Sequence, residues 1–508
     1  MRPGPNVGFP RFPAWLAAWI LTLLSSIAAA PTLEHLFPLS AAVGSTQTVT
    51  VAGKFDPWPP RFWIQGAGIT WTPETNAGKA RLEIADDATP GPRFLRLFND
   101  DGASEPRFLL VTPQPDLPEV EPNNRPATAQ PLSRLPANLI GRLEKSGDVD
   151  SYLLDLPAGH WLDARVESYV LMSKLDCVLR LLDRDGNQIA WNHDSDTLDP
   201  RLRWHASQAT TVVLQVFGFR YPADSSVQLA GGDGAIYRLL IEAPALRPEA
   251  IPPDSVIPEL TDASANDPVL AVEPPRVLAG TLDKVGQEDR HPFRAETGDF
   301  IEARVEAATL DSPLDATLRI LDRAGTELVQ IDDFEGGPDP RLVWKSPTNG
   351  LFFAGVRSLP RVAGSDHRYR LGLRRLPLEA RVALLASTVT ATPGTTNEVK
   401  FRVTRQAGHT HAIQVRFRDL PPGLSADPVT APATDGEGNL RLVIGTNAAA
   451  FSGPLTVVAV EPARGSESVA AFDLTSRGEN NGVPQGYSRL WIQQIEHLWL
   501  AVRPPKEK

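Results

Sequence analysis

The sequence predicts an all-β protein built as tandem antiparallel β-sandwiches. Three observations predict it. Apolar and polar residues alternate over short runs such as "WLDARVESYV" and "TTVVLQVFGF", with turn residues between them, which is the pattern of strands with one wet face. The 508 residues include 48 prolines and 38 glycines but only two methionines, a mix that suits many strands and turns rather than long helices. Part of the chain is also duplicated. "GRLEKSGDVDSYLLDLPAGHWLDARVE" from Gly141 returns as "GTLDKVGQEDRHPFRAETGDFIEARVE" from Gly280, an offset of 139 residues.

The first element is an export signal over residues 1–30. Arg2 and Arg11 precede the apolar run "AWLAAWILTLLSSIAAA", which ends in small residues that suit a signal peptidase. An uncleaved anchor is the competing reading, though the run is barely long enough to span a bilayer. No other segment is apolar enough to cross, so the expectation is a secreted, periplasmic or cell-surface protein with no transmembrane span in the mature chain.

Residues 31–113 come next, with strands in "TQTVTVAG", "RFWIQG", "ARLEIAD" and "RFLRLFND". Trp58, Trp63 and Trp71 in this segment are read as core in preference to a stacking surface. The first copy of the repeat occupies 119–243. It carries Gly147, Asp150, Gly159 and Ala164-Arg165-Val166-Glu167, which fall on Gly286, Asp289, Gly298 and Ala303-Arg304-Val305-Glu306 of the second copy. "LDCVLRLLDRDG" matches "LDATLRILDRAG", "DPRLRW" matches "DPRLVW", and "YRLLI" matches "YRLGL". Trp204 and Trp344 occupy equivalent positions, which points to packing. "DRDGN" at Asp183 reads as a hairpin turn, with a calcium loop as the lesser alternative. Residues 244–275 hold eight prolines and read as an extended linker. The second copy fills 276–376. A last β segment, 380–505, contains "TNEVKFRVTR", "AIQVRFRDLP", "NLRLVIG" and "PLTVVAVE".

The net charge is −11, from 50 Lys and Arg against 61 Asp and Glu. An acidic balance argues against a nucleic-acid partner, which requires a basic surface. The single cysteine, Cys177, excludes an internal disulfide and reads as a buried thiol on one strand face. No GxSxG or HExxH occurs. His193, Asp194 and Ser195 adjoin in sequence, but a triad is recognised by geometry. No histidine is shared between the two copies, so the expectation is no enzyme and no catalytic residue. His409 and His411, two apart, would face one way on a strand but lack an evident third ligand, and an exposed hairpin tip is the favoured reading.

The chemistry of the chain gathers at "EVEPNN". Pro122 disfavours helical backbone at Glu121. In an extended segment Glu119, Glu121 and Asn123 would then share one side, with Asn124 beside them. Asp148 and Asp150 would share one side of the strand that opens the sandwich. Should the two stretches meet, their oxygens form a shell for one Ca²⁺, which takes six to eight oxygens at about 2.3–2.6 Å. The competing reading is an acidic, solvated linker with turn residues. The second copy keeps only Asp289 in register, so no ion is expected there.

These motifs carry a family resemblance. "EPNN", "GDVDSY", "LLDRDG" and "NHDSD" in the first copy resemble the bacterial pre-peptidase C-terminal domain, a jelly-roll-type sandwich found in secreted proteins and attached to some secreted peptidases. The second copy departs from it, with "GQEDRH" for "GDVDSY" and no "EPNN". The resemblance covers a little under half the chain and implies calcium near the N-terminal linker of the module, as in members attached to collagen-degrading enzymes. "FPLSAAVGSTQTVTVAG" is similar to an IPT/TIG-type immunoglobulin-like domain. "TPGTTNEVKFRV" with "LPPG" resembles immunoglobulin-like domains of secreted glycosidases. The whole arrangement is similar to large secreted proteins of planctomycete-like bacteria. Taken with the missing catalytic motifs, the expectation is a non-catalytic, monomeric binding, adhesion or scaffold protein for an extracellular protein or polysaccharide, its sandwiches in series making a long surface. The alternative is an accessory subunit that delivers a secreted peptidase or glycoside hydrolase.

Overall fold

The computed structural model describes residues 29–195, 198–220, 228–245, 271, 274–310, 312–333, 338–477 and 489–503. The expected export signal lies outside the described residues except Ala29 and Ala30. So do most of the Pro-rich stretch 244–275 and Asp196 of "NHDSD". Within the described residues the fold is all-β, with sheets forming tandem sandwich-like units and three-residue 3-10 turns as the only helical pieces. Alternation explains the strands. Thr396–Arg405 points Val399, Phe401 and Val403 into a core while its other side chains stay largely exposed.

The two copies share a plan. In the second, Arg276–Thr281, Arg368–Arg375, Phe300–Glu306 and Arg341–Lys345 form one four-stranded sheet. Glu288–Ala295, Gly350–Ser358, Ala316–Leu321 and Glu327–Ile331 form the other. The first copy repeats both sheets and adds a short parallel edge strand to each. Leu117–Pro118 joins Ala137–Arg142, and Gln130–Pro131 joins Asp150–Leu156. Both added strands come from the segment that holds the acidic run, so residues 119–129 cross from one sheet to the other over the sandwich edge. Asp116 fixes the start of this crossing. Its carboxylate is buried and takes two bonds from Arg238, at 2.7 and 3.0 Å.

The sandwiches are not strung in series. The N-terminal unit packs on the first repeat through Phe37, Leu39 and Leu110 against Ile140, Leu171 and Ile236. It also packs on the C-terminal unit, where Phe94 and Phe108 meet Leu474 and Ile495. Trp499 is fully buried there, with ring centroids 5.0 Å from Phe98 and 5.7 Å from Trp63. Arg96 is buried beside it and donates to the Ser104 carbonyl at 2.7 Å and to the Ser387 carbonyl at 3.3 Å. Alternating strand patterns report which face is buried but not which sandwich covers an outer face, so this closure was invisible in sequence. The Trp expectation divides accordingly. Trp58 and Trp71 are half-buried against the core of the N-terminal unit, and Trp63 belongs to the junction. Trp204 and Trp344 pack against the cores of their own repeats.

Candidate metal centre in the first repeat

The crossing segment is not the regular extended strand that Pro122 suggested. Its strand pairing stops at Pro118, and the chain then turns. Glu119 points inward: its Oε2 accepts from the Arg142 amide at 2.9 Å and lies 3.2 Å from the Tyr237 hydroxyl. Glu121 turns back and accepts from the Asn123 amide at 2.8 Å. Asn123 is fully buried, pinned by its carbonyl to the Ser151 amide at 3.1 Å. Asp148 ends the turn before the strand and caps the Glu144 amide at 2.6 Å. Asp150, the first residue of Asp150–Leu156, is fully buried and takes the Tyr237 hydroxyl at 2.5 Å. Tyr152 in turn lies 2.5 Å from Tyr237.

The two distant acidic stretches therefore meet. Glu121, Asp148 and Asp150 each present an oxygen within 4.8 Å of the others. Asn124 stands apart from this set, since its side-chain nitrogen is turned to Asp148 Oδ1 and holds that carboxylate in place. Asp150 Oδ1 and both polar atoms of the Asn123 side chain are buried without a hydrogen-bond partner. Unpaired buried polar groups carry a desolvation cost of about 1–3 kcal/mol each. A hard cation bound by Asp150 Oδ1 and Asn123 Oδ1 would relieve the cost at those two oxygens, though not at the Asn123 amide nitrogen, and the all-oxygen donor set fits Ca²⁺.

The duplicate serves as an internal comparison. Gln287 stands where Asp148 does, Asp289 where Asp150 does, and Tyr369 takes the place of Tyr237. Gln287 Nε2 donates to Asp289 Oδ1 at 2.8 Å and Tyr369 donates to Oδ2 at 2.6 Å. His291, in the place of Tyr152, lies 2.7 Å from the Tyr369 hydroxyl. Protein donors thus satisfy both oxygens of Asp289, whereas one oxygen of Asp150 is left bare. The two tyrosines escaped the sequence reading as site residues, although "GDVDSY" and the shared "YR" motif contain them. Gly141 is the other missed signal. A Cβ there would lie 2.4 Å from the Tyr237 hydroxyl and 2.5 Å from Glu119 Oε2, and Gly280 meets Tyr369 in the same way.

Burial pushes the Asp150 carboxyl well above the carboxylate range, and the neighbouring Glu119 adds to the rise. Burial raises Glu119 too. An unfolded Asp titrates near about 3.9. The metal-free fold therefore holds a proton that the unfolded chain sheds above that pH. Stability from this group is complete below about pH 4 and declines as pH climbs towards the folded value. A calcium ion bound through Asp150 would compete with the same proton, and its affinity would strengthen with pH. Titrations at pH 6 and pH 7 are expected to differ by up to about tenfold in Kd, tighter at pH 7. Equal values at the two pH values would show that no proton is displaced.

The other candidates resolve differently. Asp183 Oδ1 accepts from the Asp185 and Asn187 amides at 2.9 and 2.8 Å, closing the expected hairpin. His193 sits between Asp176 and Asp194 at 3.5 and 3.1 Å, while Ser195 Oγ donates to the Asp199 carbonyl at 2.8 Å and not to the imidazole. Cys177 is fully buried, which drives its thiol well above its usual range. The expectation of an exposed tip at His409 fails: that residue is buried, and Glu461 lies against it and His411. Glu461 follows some fifty residues later, a separation that sequence spacing could not bridge.

No protein-family model matches the chain, and no curated protein matches it. Among solved structures, the fibronectin(III)-like modules of Clostridium thermocellum CbhA are similar at 9% identity. That match covers 48% of this chain and 94% of that one, with a TM-score of 0.15. The surface layer protein SbsC, domains 1–6, is similar at 10% identity over 94% of this chain and 55% of that one, with a TM-score of 0.16. A structure of rSbsC(31-844) is similar at 11% identity over 87% and 53%, with a TM-score of 0.15. The chain spans about half the length of each SbsC structure. At these TM-scores the likeness carries nothing about site or function.

Proposed function

We propose that the protein is an exported, non-catalytic binding or scaffold protein whose first repeat is a pre-peptidase C-terminal-like module organised by one Ca²⁺. The observation that carries the calcium reading is the contrast between the copies. Asp150 Oδ1 is buried without a donor beside Glu121 and Asp148, and the Asn123 side chain is buried and unpaired, while the equivalent Asp289 is closed by Gln287 and Tyr369. Glu121, Asp148, Asp150 and Asn123 would hold the ion, with Glu119 supporting them from the Tyr237 side. The ion would tie the crossing segment to the sandwich and take the place of the proton that Asp150 holds without it. The apolar run of residues 14–30 supports export. The Ser195 bond to a carbonyl supports a non-catalytic role for the His193 segment.

Exchanging the copies' solutions tests the reading. Asp148→Gln installs the amide that closes the second repeat. The variant is expected to melt no lower than metal-free wild type and to ignore calcium, which raises the wild-type midpoint. An Asp148→Gln protein that still gains the full wild-type shift would overturn the assignment. The binding role is checked by capture on collagens and polysaccharides with and without calcium. Hydrolysis of casein, collagen or glycans by the purified chain would contradict it.

A further inference from the structure

Two imidazoles and a carboxylate, His409, His411 and Glu461, gather in the C-terminal unit. His409 and His411 follow a tight turn in which Ala407 and Gly408 take left-handed backbone, at φ 54° and 72°. Glu461 ends the strand Val457–Glu461 and reaches both rings. His409 Nε2 lies 3.1 Å from Glu461 Oε2, and His411 Nδ1 bonds Glu461 Oε1. One donor atom from each of the three lies within 4.8 Å of the other two. The His409 side chain is fully buried and that of Glu461 nearly so, while His411 is 38% exposed.

We propose that His409, His411 and Glu461 bind a first-row transition-metal ion of the zinc class, with a further coordination position open to solvent beside His411. Ligands at about 2.0–2.2 Å around a tetrahedral ion stand roughly 3.3–3.5 Å apart. The observed 3.1 Å between His409 and Glu461 needs only a slight spread, and the closer contact between His411 and Glu461 a larger one. Two imidazoles and one carboxylate suit zinc, cobalt, nickel or copper, whereas calcium takes an all-oxygen shell.

Arg405 sets the terms of binding. Its Nη1 lies 2.7 Å from His409 Nδ1, and a guanidinium only donates. In the metal-free chain Nδ1 therefore accepts, and the ring proton sits on Nε2 facing Glu461. Ligation through Nε2 would place that proton on Nδ1, where it no longer accepts from Arg405, so the guanidinium would have to leave the ring. Arg405 keeps the His411 carbonyl at 2.9 Å and the Pro432 carbonyl at 2.6 Å. His411, whose Nδ1 faces Glu461 Oε1, would ligate through Nδ1 and carry its proton on Nε2. The site also marks a joint between units. The Gln406 amide donates to the Glu379 carbonyl at 2.8 Å, and Arg464 donates to the Leu378 carbonyl. An ion would tie this turn to the strand end where the second repeat passes into the C-terminal sandwich.

Cobalt titration of the full chain, stripped with chelator, tests the proposal through the visible absorption of the ion. One equivalent of Co²⁺ is expected to give ligand-field bands that Zn²⁺ abolishes. His411→Ala is expected to weaken cobalt binding by more than the roughly tenfold that even an outer-shell partner is worth. His411 is partly exposed, so that variant retains its fold, as circular dichroism would register. Asp150→Asn is expected to leave the cobalt titration unchanged, which separates this site from the calcium reading. Absent cobalt bands in wild type, or a His411→Ala chain that titrates like wild type, would overturn it.

Discussion

Calcium at one hundred times its dissociation constant is expected to stabilise the first repeat by about 2.7 kcal/mol, and Asp150→Asn to remove that gain. The magnitude follows from mass action, because the oxygens meet only in the folded chain. Glu119 and Glu121 lie more than twenty residues before Asp148 and Asp150, and an unfolded segment does not hold them together. The variant is informative in the metal-free state as well. There Asp150 is held protonated by burial and by Glu119, and a neutral amide resembles a neutral carboxyl in shape. Asp150→Asn should therefore unfold in chelator at about the wild-type midpoint while losing the calcium response. Denaturant titrations of both proteins, with calcium and with chelator, measure the four values required. A variant that gained the wild-type increment would remove Asp150 from the site.

Trp499→Ala is expected to cost about 3–5 kcal/mol, the range for truncating a large buried aromatic. The indole is fully buried between Phe98 and Trp63 of one unit and the sheet of its own, and its Nε1 donates to Ser452 Oγ at 3.2 Å. Removing it opens a cavity at the junction and leaves Arg96 facing empty space. Its effect should appear as a lower unfolding midpoint together with a larger radius of gyration in small-angle scattering, as the terminal units part. Trp191→Ala supplies the comparison. That indole is 60% exposed, so its loss should stay within about 0.5 kcal/mol. A Trp499→Ala protein with unchanged dimensions and midpoint would show that the two terminal units do not hold one another.

Local features of the fold were legible because they are written in short-range pattern. Alternation located Thr46–Lys54 and Thr396–Arg405, Asp-Gly located the turn after Leu182, and the duplication foretold matching sheets in the two repeats. The acidic stretches were legible as donors for the same reason, since carboxylates spaced two apart are conspicuous. Their approach depended on a crossing segment between two sheets, which no periodicity encodes. Tyr237 and Gly141 join the site from strands adjacent only in space. Glu461 completes the His409 and His411 pair in the same way. The docking of the terminal units was hidden for a further reason: Phe94, Phe108 and Trp63 look like ordinary outward strand residues until the covering surface is known.

One calcium ion held by residues 119–150 through Asp150 is measured most directly by calorimetric titration of Ca²⁺ into the chelator-stripped full chain. The expected result is one ion per chain, a heat that varies with the ionisation enthalpy of the buffer because a proton leaves, and no binding by Asp150→Asn. Saturation by Asp150→Asn with the wild-type affinity, or no calcium heat from wild type at millimolar concentration, would contradict it.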